Sequence, residues 1–495
     1  MAMSNSGLGF RGRLLVFAAA VTSIAVAAPA QTPSVQPLAD ARSVLPEGAP
    51  VIQLQAEQLA LILKTLNEAE SHGFDRGAFG PVDLSQRFAS TDPMVRAQAA
   101  VQVGPAIVRY AQAQRGQRIA GKFLADWGIR PEPYDAPAAF AQAVAADKVG
   151  EWLASLPPPY EGYRQMRVAL GAYKALAAKG GWTALPEGPS LKPGMRNARA
   201  PALRQRLAWE DDQVPQAGAD ATLMDRGLAD ALARFQARHG LAADGAMGRG
   251  TQAELNMPVE RRLGMIEANL ERWRWAPRTA AATRIEVNIA SQQVELYQAG
   301  KLTESMKAVA GRKTDPTPML TSNIHSVVLN PPWNVPTSIA AKELWPKQRS
   351  DPSYFAREDI VVRDSGQLQQ RAGPKSALGV VKFDFNNSYG VYMHDTPVKA
   401  AFARDVRNLS HGCVRLERAV DMARQVLSDG PGAERIDPIL LGGETTRVAL
   451  TRPLAVYLFY WTVFVDGTAK LNFRPDVYDW DATLLRLLDA GKTRV

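Results

Sequence analysis

The chain has 495 residues and one cysteine, which lies in "SHGCVRL", Ser410 to Leu416. Cys413 follows Gly412 directly, with His411 two positions before it and Arg415 two after. A thiol becomes a nucleophile where a base, a positive charge or a helix N-terminus favours its thiolate. Arg415 offers the charge, and a helix expected to begin near it would aim unpaired N–H groups at the sulfur. Gly412 lets the backbone approach an acyl group with no side chain in the way. Arg415 also has a second reading, as a brace that holds the loop through a carboxylate. The base should come from elsewhere, because Cys and His partners are neighbours in space rather than in sequence. His394 closes the alternating stretch "YGVYMH" and is the better candidate; His411 is assigned to loop geometry or substrate contact. His394, His411 and Cys413 could also supply three zinc ligands. No H-x-x-x-H or C-x-x-C spacing accompanies them, so neither metal nor cofactor is expected. Asp395 is an orienter or ligand in one reading and part of an Asp-Thr-Pro turn in the other.

The thiol's meaning depends on its compartment. Arg11 and Arg13 precede the apolar stretch from Leu14 to Ala28, and Ala28-Pro29-Ala30 supplies the small residues of a cleavage site. The pattern predicts a signal peptide over 1–30 and a soluble, exported protein; an uncleaved anchor is the lesser reading. No later run reaches the roughly 20 residues of a membrane span. "LAVYLFYWTVFV", Leu454 to Val465, is read as buried sheet followed by a turn at Asp466-Gly467. One cysteine excludes an internal disulfide, and an odd cysteine in an exported chain points to reactivity, or else to an inert buried thiol. A net charge of +9 suits an anionic neighbourhood such as nucleic acid, membrane surface or wall polymer. Export argues against nucleic acid, and the basic residues form no arm.

The length suggests two to four domains. Residues 31–46 read as a flexible leader. A helical scaffold is expected over 47–207, where Leu59, Ile62, Leu63 and Leu66, then Tyr163, Met166, Leu170, Tyr173 and Ala177, recur at helical spacing. His72 is read as structural. A three-helix unit is expected over 215–278, with a capping box at Thr251 to Glu254 and its third helix after Pro258. By spacing alone it is any small helical module, a helix-turn-helix included. From Arg284 the period becomes alternating, which predicts an antiparallel meander through Ile285, Val287, Val294 and Leu296. Residues 333–378 read as an excursion with few core contacts, and a helix carrying Leu416, Ala419, Val420, Ala423 and Leu427 on one side follows the cysteine. The expected fold is α+β and multidomain, with a mainly antiparallel β domain over 283–445 and a C-terminal hairpin and helix over 446–495.

Two resemblances add to this. "FQARHGLAADGAMGRGTQAELN" is similar to the common peptidoglycan-binding module. "HDTPVKAAFARDVRNLSHGCVRL" resembles the L,D-transpeptidase signature, a histidine some 16 positions before a Ser-His-Gly-Cys-x-Arg block. "NPPWNVPTSI", "ALGVVKF" and Thr317-Pro318 are similar to its large multidomain periplasmic subtype, which usually has asparagine where this chain has Ser376. The resemblance implies that Cys413 takes the acyl group of a tetrapeptide stem, releases D-alanine and passes the acyl group to an amine of a second stem. It implies His394 as general base, oriented by the Asp395 carbonyl, and backbone N–H groups near Gly412 and Cys413 as oxyanion donors. Ser410, His411, Gly412, Arg415 and Asp395 are then supporting residues, Trp333 and Tyr392 substrate contacts, and 333–378 a capping insertion. The implied partners are peptidoglycan stems and wall-synthesis enzymes. A cysteine L,D-carboxypeptidase or other hydrolase of wall peptides and a non-catalytic peptidoglycan-binding protein remain as alternatives.

Overall fold

The computed structural model describes residues 53–492, apart from 120–123, 125–126, 130, 212, 429 and 431–432. The expected signal peptide and leader lie outside the described residues. In the first unit, helices Ala56–Asn67, Pro93–Gln114, Ala136–Ala145 and Val149–Ser155 enclose Ile62, Phe74, Ile107, Tyr110 and Phe140. Pro93 opens its helix, where a missing N–H costs nothing, and the Asp92 carboxylate accepts from the Met94 N–H. His72 is buried with Nδ1 2.8 Å from the Tyr163 hydroxyl.

The small helical unit differs from expectation. Its core joins helices Ala200–Ala208, Arg226–Arg238 and Arg249–Leu255 through Leu203, Leu207, Leu228, Leu232, Phe235 and Leu255. The helix after Pro258, Val259–Trp273, packs elsewhere. Its Met265, Ile266 and Leu270 meet Tyr163, Met166 and Leu170 of helix Glu161–Ala178, because both apolar stripes need cover. Its other side meets helix Trp480–Lys492. The expected capping box is absent: the helix starts at Arg249 after Gly248, and Thr251, one turn inside, accepts from Gln236.

The Val259–Trp273 helix and the residue after it carry three buried arginines, each with a partner. Arg262 meets Glu254 at 2.8 Å, Arg272 pairs with Asp481, and Arg274 meets Glu271 at 2.6 Å while also reaching the His72 carbonyl. Buried charges persist only when paired in this way.

The β domain is one sheet closed on itself. Its strands are β1 Arg284–Asn288, β2 Gln293–Gln298, β3 Lys301–Gly311, β4 Leu320–Leu329, β5 Trp333–Asn334, β6 Ile360–Val362, β7 Leu368–Gln370, β8 Val381–Phe385, β9 Met393–His394, β10 Asn408–Ser410, β11 Val414–Leu416 and β12 Thr446–Phe459. The main sheet runs β10-β3-β11-β9-β8-β4-β12-β1-β2, and β2 pairs again with β3. β3 makes the closure possible: its first part pairs with β2, and its last residues pair with β11 and β10. Ile285, Val287, Val294, Leu296 and Val456 face the core. The meander β1-β2-β3 is antiparallel as expected, while β1–β12, β3–β10 and β9–β11 are parallel.

Two boundaries shift. Residue 446 begins β12, which lies between β4 and β1 in the main sheet, so no break separates it from the β domain. Of the segment from 446 onward, the hairpin β13 Val463–Val465 with β14 Leu471–Phe473 and the last helix stand outside that sheet. The 333–378 excursion is not poor in contacts. It folds into a three-stranded sheet, β5-β7-β6, over its own core of Val335, Leu344, Phe355, Ile360 and Leu368, a nonlocal grouping that short-range periodicity does not reveal.

Burial, helped by the charges of Arg167 and Arg274, pushes His72 down to about 2, and burial pushes His239 down to about 3 against the pull of Glu210. Unfolded histidine binds its proton near 6.5. Below that pH the unfolded chain holds protons that the folded chain refuses, so stability falls on acidification, by up to about 1.4 kcal/mol per pH unit for each histidine. The urea midpoint is expected to drop steadily from pH 7 to pH 5, and less steeply in His72→Gln; parallel slopes in the two proteins would remove His72 from this account.

Candidate active site

The site starts from a strand pairing. β9 and β11 run parallel, with Val414 opposite Met393 and Arg415 opposite His394, and the Val414 N–H donates to the Tyr392 carbonyl at 3.1 Å. Strand side chains alternate between faces. The pairing therefore puts Tyr392 and His394 on one face together with Cys413 and Arg415. The Tyr392 and His394 rings are 5.5 Å apart, and Lys382, opposite His394 in β8, holds its Nζ 4.4 Å above the Tyr392 ring.

The residues after the cysteine form a strand rather than a helix. Val414–Leu416 is held between β9 and β3, and the helix begins only at Ala419, so that helix does not start at the sulfur. The thiol accordingly departs from expectation as well. Burial pushes the Cys413 thiol up from its ordinary value; hydrogen bonds from the Tyr392 backbone and hydroxyl, and the charges of Lys382 and Arg415, offset only part of this. The Tyr392 hydroxyl is itself pushed up, first by burial and then by the sulfur, with Trp333 of the excursion offsetting part of this.

His394 is buried, and its Nδ1 lies 2.5 Å from the Asp395 carbonyl. A carbonyl only accepts, so Nδ1 carries the proton and Nε2 keeps its lone pair. Burial and the Arg415 charge push the imidazole down to about 3. Thiol and imidazole thus rest as a neutral pair. Among the described residues no hydrogen bond joins the sulfur to His394; such bonds often tighten only once substrate is present. The Asp395 carboxylate has a separate task, accepting from the Val380 N–H at 3.0 Å and pairing with Lys399 at 2.6 Å.

The loop before the cysteine is braced from several elements. Ser410 Oγ donates to the Cys413 carbonyl at 2.6 Å and accepts from the Gly412 N–H at 3.1 Å. The latter N–H is therefore engaged within the loop. Gly412 has φ +110° with no close neighbour at its missing Cβ, so backbone conformation is what calls for glycine there. Thr317 Oγ1 donates to the Gly412 carbonyl at 2.8 Å, and the Tyr478 hydroxyl donates to the Gly311 carbonyl at 2.7 Å while accepting from the Thr317 N–H at 3.2 Å. His411 turns outward, its Nε2 2.6 Å from Glu343 of the excursion, which Arg312 also approaches at 3.4 Å. Burial tends to raise the Glu343 carboxyl, but His411 and Arg312 hold it below the usual range. Arg415 braces nothing: among the described residues no carboxylate pairs with it, and its buried Nε has no partner.

Lys382, Glu343 and Tyr478 were not anticipated. Lys382 was within reach of a reading that aligned "VKFDF" with "YMH"; the other two arrive from distant segments with no local signal. Among the described residues no group of three or more His, Cys, Asp or Glu side chains could hold a metal ion, and no helix is long and apolar enough to cross a membrane.

Fold and site together define a multidomain α+β protein with a cysteine and a histidine gathered on one sheet face. Residues 282–448 match the YkuD family, the L,D-transpeptidase catalytic domain, and residues 51–170 match the Scaffold domain family. The chain carries an L,D-transpeptidase catalytic domain and a separate N-terminal scaffold domain. It is similar to a Haemophilus influenzae protein named "Putative L,D-transpeptidase", at 31% identity over 218 residues. That match spans 40% of this chain and 44% of the relative, so less than half of the relative's length is represented. Among solved structures it is similar to an L,D-transpeptidase from Mycobacterium smegmatis, at 19% identity over 37% of this chain and 60% of that one, with a TM-score of 0.22. It is also similar to the catalytic domain of the E. faecium L,D-transpeptidase acylated by ertapenem, at 15% identity over 37% of this chain and 99% of that one, with a TM-score of 0.21. At TM-scores this low the two likenesses carry no argument.

A protonated resting thiol has a measurable signature. The rate of iodoacetamide alkylation of Cys413 is expected to climb about tenfold per pH unit from pH 6 to 8 without levelling, since the reactive thiolate is a small fraction throughout. A fast rate that is flat over that range would mean a resting thiolate and imidazolium instead.

Proposed function

We propose that the chain is a peptidoglycan L,D-transpeptidase. The observation that carries this is the β9–β11 pairing, which groups Cys413, His394, Tyr392 and Arg415 on one face of an L,D-transpeptidase catalytic domain. The tetrapeptide stem of a donor enters beneath the 333–378 insertion, where Trp333 and Tyr392 line its path. Cys413 Sγ attacks the carbonyl before the terminal D-alanine as its proton passes to His394 Nε2. Because both groups rest neutral, proton transfer and attack proceed together rather than from a stored thiolate.

Charge then develops on the carbonyl oxygen. With the Gly412 N–H committed to Ser410, the Cys413 N–H is the backbone donor left for it. The His394 proton moves to the departing amine, D-alanine leaves, and a thioester remains. An amine of a second stem attacks the thioester carbonyl and gives a proton to His394; the C–S bond breaks, the amide cross-link forms, and His394 returns the proton to Cys413 Sγ. The unpaired Arg415 supplies the cation for a stem carboxylate, fixing the donor's register by a charge-assisted bond. Asp395 acts through its carbonyl, which holds the imidazole tautomer. The small helical unit is read as the peptidoglycan-binding module, and the place of action as the periplasm.

Incubation with disaccharide-tetrapeptide, followed by mass spectrometry, tests the reading. Cross-linked dimers are expected from the parent and not from Cys413→Ala; tripeptide monomers alone would point to the hydrolase, and full activity in Cys413→Ala would end both. His394→Ala is expected to slow acylation by about 10²–10⁴-fold, the range of a lost general base. Arg415→Gln is expected to raise KM for the donor stem by about tenfold, the size of one lost charge-assisted bond, with a smaller effect on kcat; an unchanged KM would remove Arg415 from donor binding.

A further inference from the structure

A second cavity lies away from Cys413. In the ring of strands formed by the closed sheet, β1 stands opposite β9, and the outer face of β12, β1 and β2 forms the floor of a cavity of about 710 Å³. Pockets of that size take small organic ligands. Its roof comes from the scaffold side, with Tyr160 and Trp273, and from the β13–β14 hairpin, with Phe464. Nothing in the chemistry proposed for Cys413 uses it.

The floor is laid out in columns by strand register. β12 contributes Tyr457 and Phe459, with Trp461 just beyond its end; β1 contributes Glu286 and Asn288; β2 contributes Glu295 and Gln293. Tyr457, Glu286 and Glu295 share one cross-strand row, and Phe459, Asn288 and Gln293 share the next. An aromatic column thus runs directly beside two columns of carboxylates and amides. The rings continue from one element to the next: Tyr457–Phe459 centroids are 5.7 Å apart, Phe459–Trp461 4.9 Å, Trp461–Trp273 4.3 Å and Trp273–Tyr160 5.2 Å.

Aromatic faces beside carboxylate and amide groups are the complement of a sugar ring, which offers apolar C–H faces and a rim of hydroxyls. The charges narrow the class further. The two arginines that line the cavity are both engaged: Arg284 meets Glu286 at 2.5 Å and stacks 4.0 Å from the centre of Tyr297, and Arg474 donates to the Arg238 and Phe473 carbonyls. Glu286 and Glu295 stand opposite each other across the strands, so an acidic peptide is disfavoured and an uncharged, hydroxyl-rich ligand is not. Two residues of the wall also carry a buried polar atom with no protein partner: Trp273 Nε1, a donor, and Gln293 Oε1, an acceptor. Buried polar groups are normally satisfied. An acetamido group brings one acceptor and one donor of its own.

We propose that this cavity is a binding site for a saccharide bearing acetamido groups. It gives the protein a hold on a glycan that is separate from the reacting peptide, and it does not depend on the reaction assigned to Cys413.

The test uses the full chain and N,N′-diacetylchitobiose, followed by tryptophan fluorescence and titration calorimetry, since Trp273 and Trp461 adjoin the site. Saturable binding is expected. Leu302, 51% exposed at the edge of the cavity, offers a blocking change, Leu302→Trp, that leaves the core untouched, and Gln293→Ala removes the wall amide. Each is expected to weaken chitobiose binding at least tenfold while the iodoacetamide rate at Cys413 stays at the parent value, and Cys413→Ala is expected to bind normally. No saturable signal from the parent would overturn the proposal. So would equal binding by the parent and both variants, which would move the sugar to another surface, such as the small helical unit.

Discussion

Everything at the reactive face depends on two residues of parallel pairing between β9 and β11. A slip of one residue would send His394 to the opposite face from Cys413, because side chains alternate along a strand. Such short pairing does not hold register unaided. It is fixed by β8 on one side and β3 on the other, by Ser410 within the nucleophile loop and Thr317 reaching that loop from before β4, and by the Asp395 carboxylate gripping Val380 and Lys399. The closed sheet is thus less a container than a jig, in which the neighbours of two short strands decide where a sulfur and an imidazole meet.

The electrostatics follow from the same burial. A site that buries the imidazole and half-buries the sulfur favours the uncharged form of each, since desolvation raises an acid and lowers a base. A protonated thiol is a poor target for stray oxidants and electrophiles. The chain's single cysteine therefore rests in a subdued form, and the positive groups around it, Lys382 and Arg415, are placed to favour negative charge when it develops rather than to maintain it beforehand.

Much of this was legible in the residues, and the failures are instructive. His394, Cys413 and Arg415 could be singled out because alternation ran up to His394 and because a lone cysteine draws notice, whereas Tyr392 came only with the resemblance. The carbonyl tether on His394 followed from the resemblance. The helix expected after Cys413 did not appear there, because pairing with β3 and β9 outweighs local preference in Val414–Leu416. The third helix of the small unit was correctly found as a helix and wrongly assigned a partner, since periodicity shows that a face is apolar but not what covers it. Tyr478 and Glu343 reach the loop from remote segments, and the core of the 333–378 insertion is equally nonlocal. The unpaired state of Arg415 is visible only once every carboxylate has a position.

The buried arginines of the Val259–Trp273 segment bear on the whole molecule. Arg272 is tied to Asp481, Arg274 to Glu271 and the His72 carbonyl, and Arg474 at the end of the β13–β14 hairpin to the Arg238 carbonyl of the small helical unit. Replacing Asp481 would leave the Arg272 guanidinium buried and uncompensated, at about 3–5 kcal/mol for such a broken pair. Scaffold, small unit and sheet are thus tied side to side by bonds that bypass the connecting chain. Where the outlying helices stand relative to the sulfur is written in these cross-ties as much as in the linkers between them.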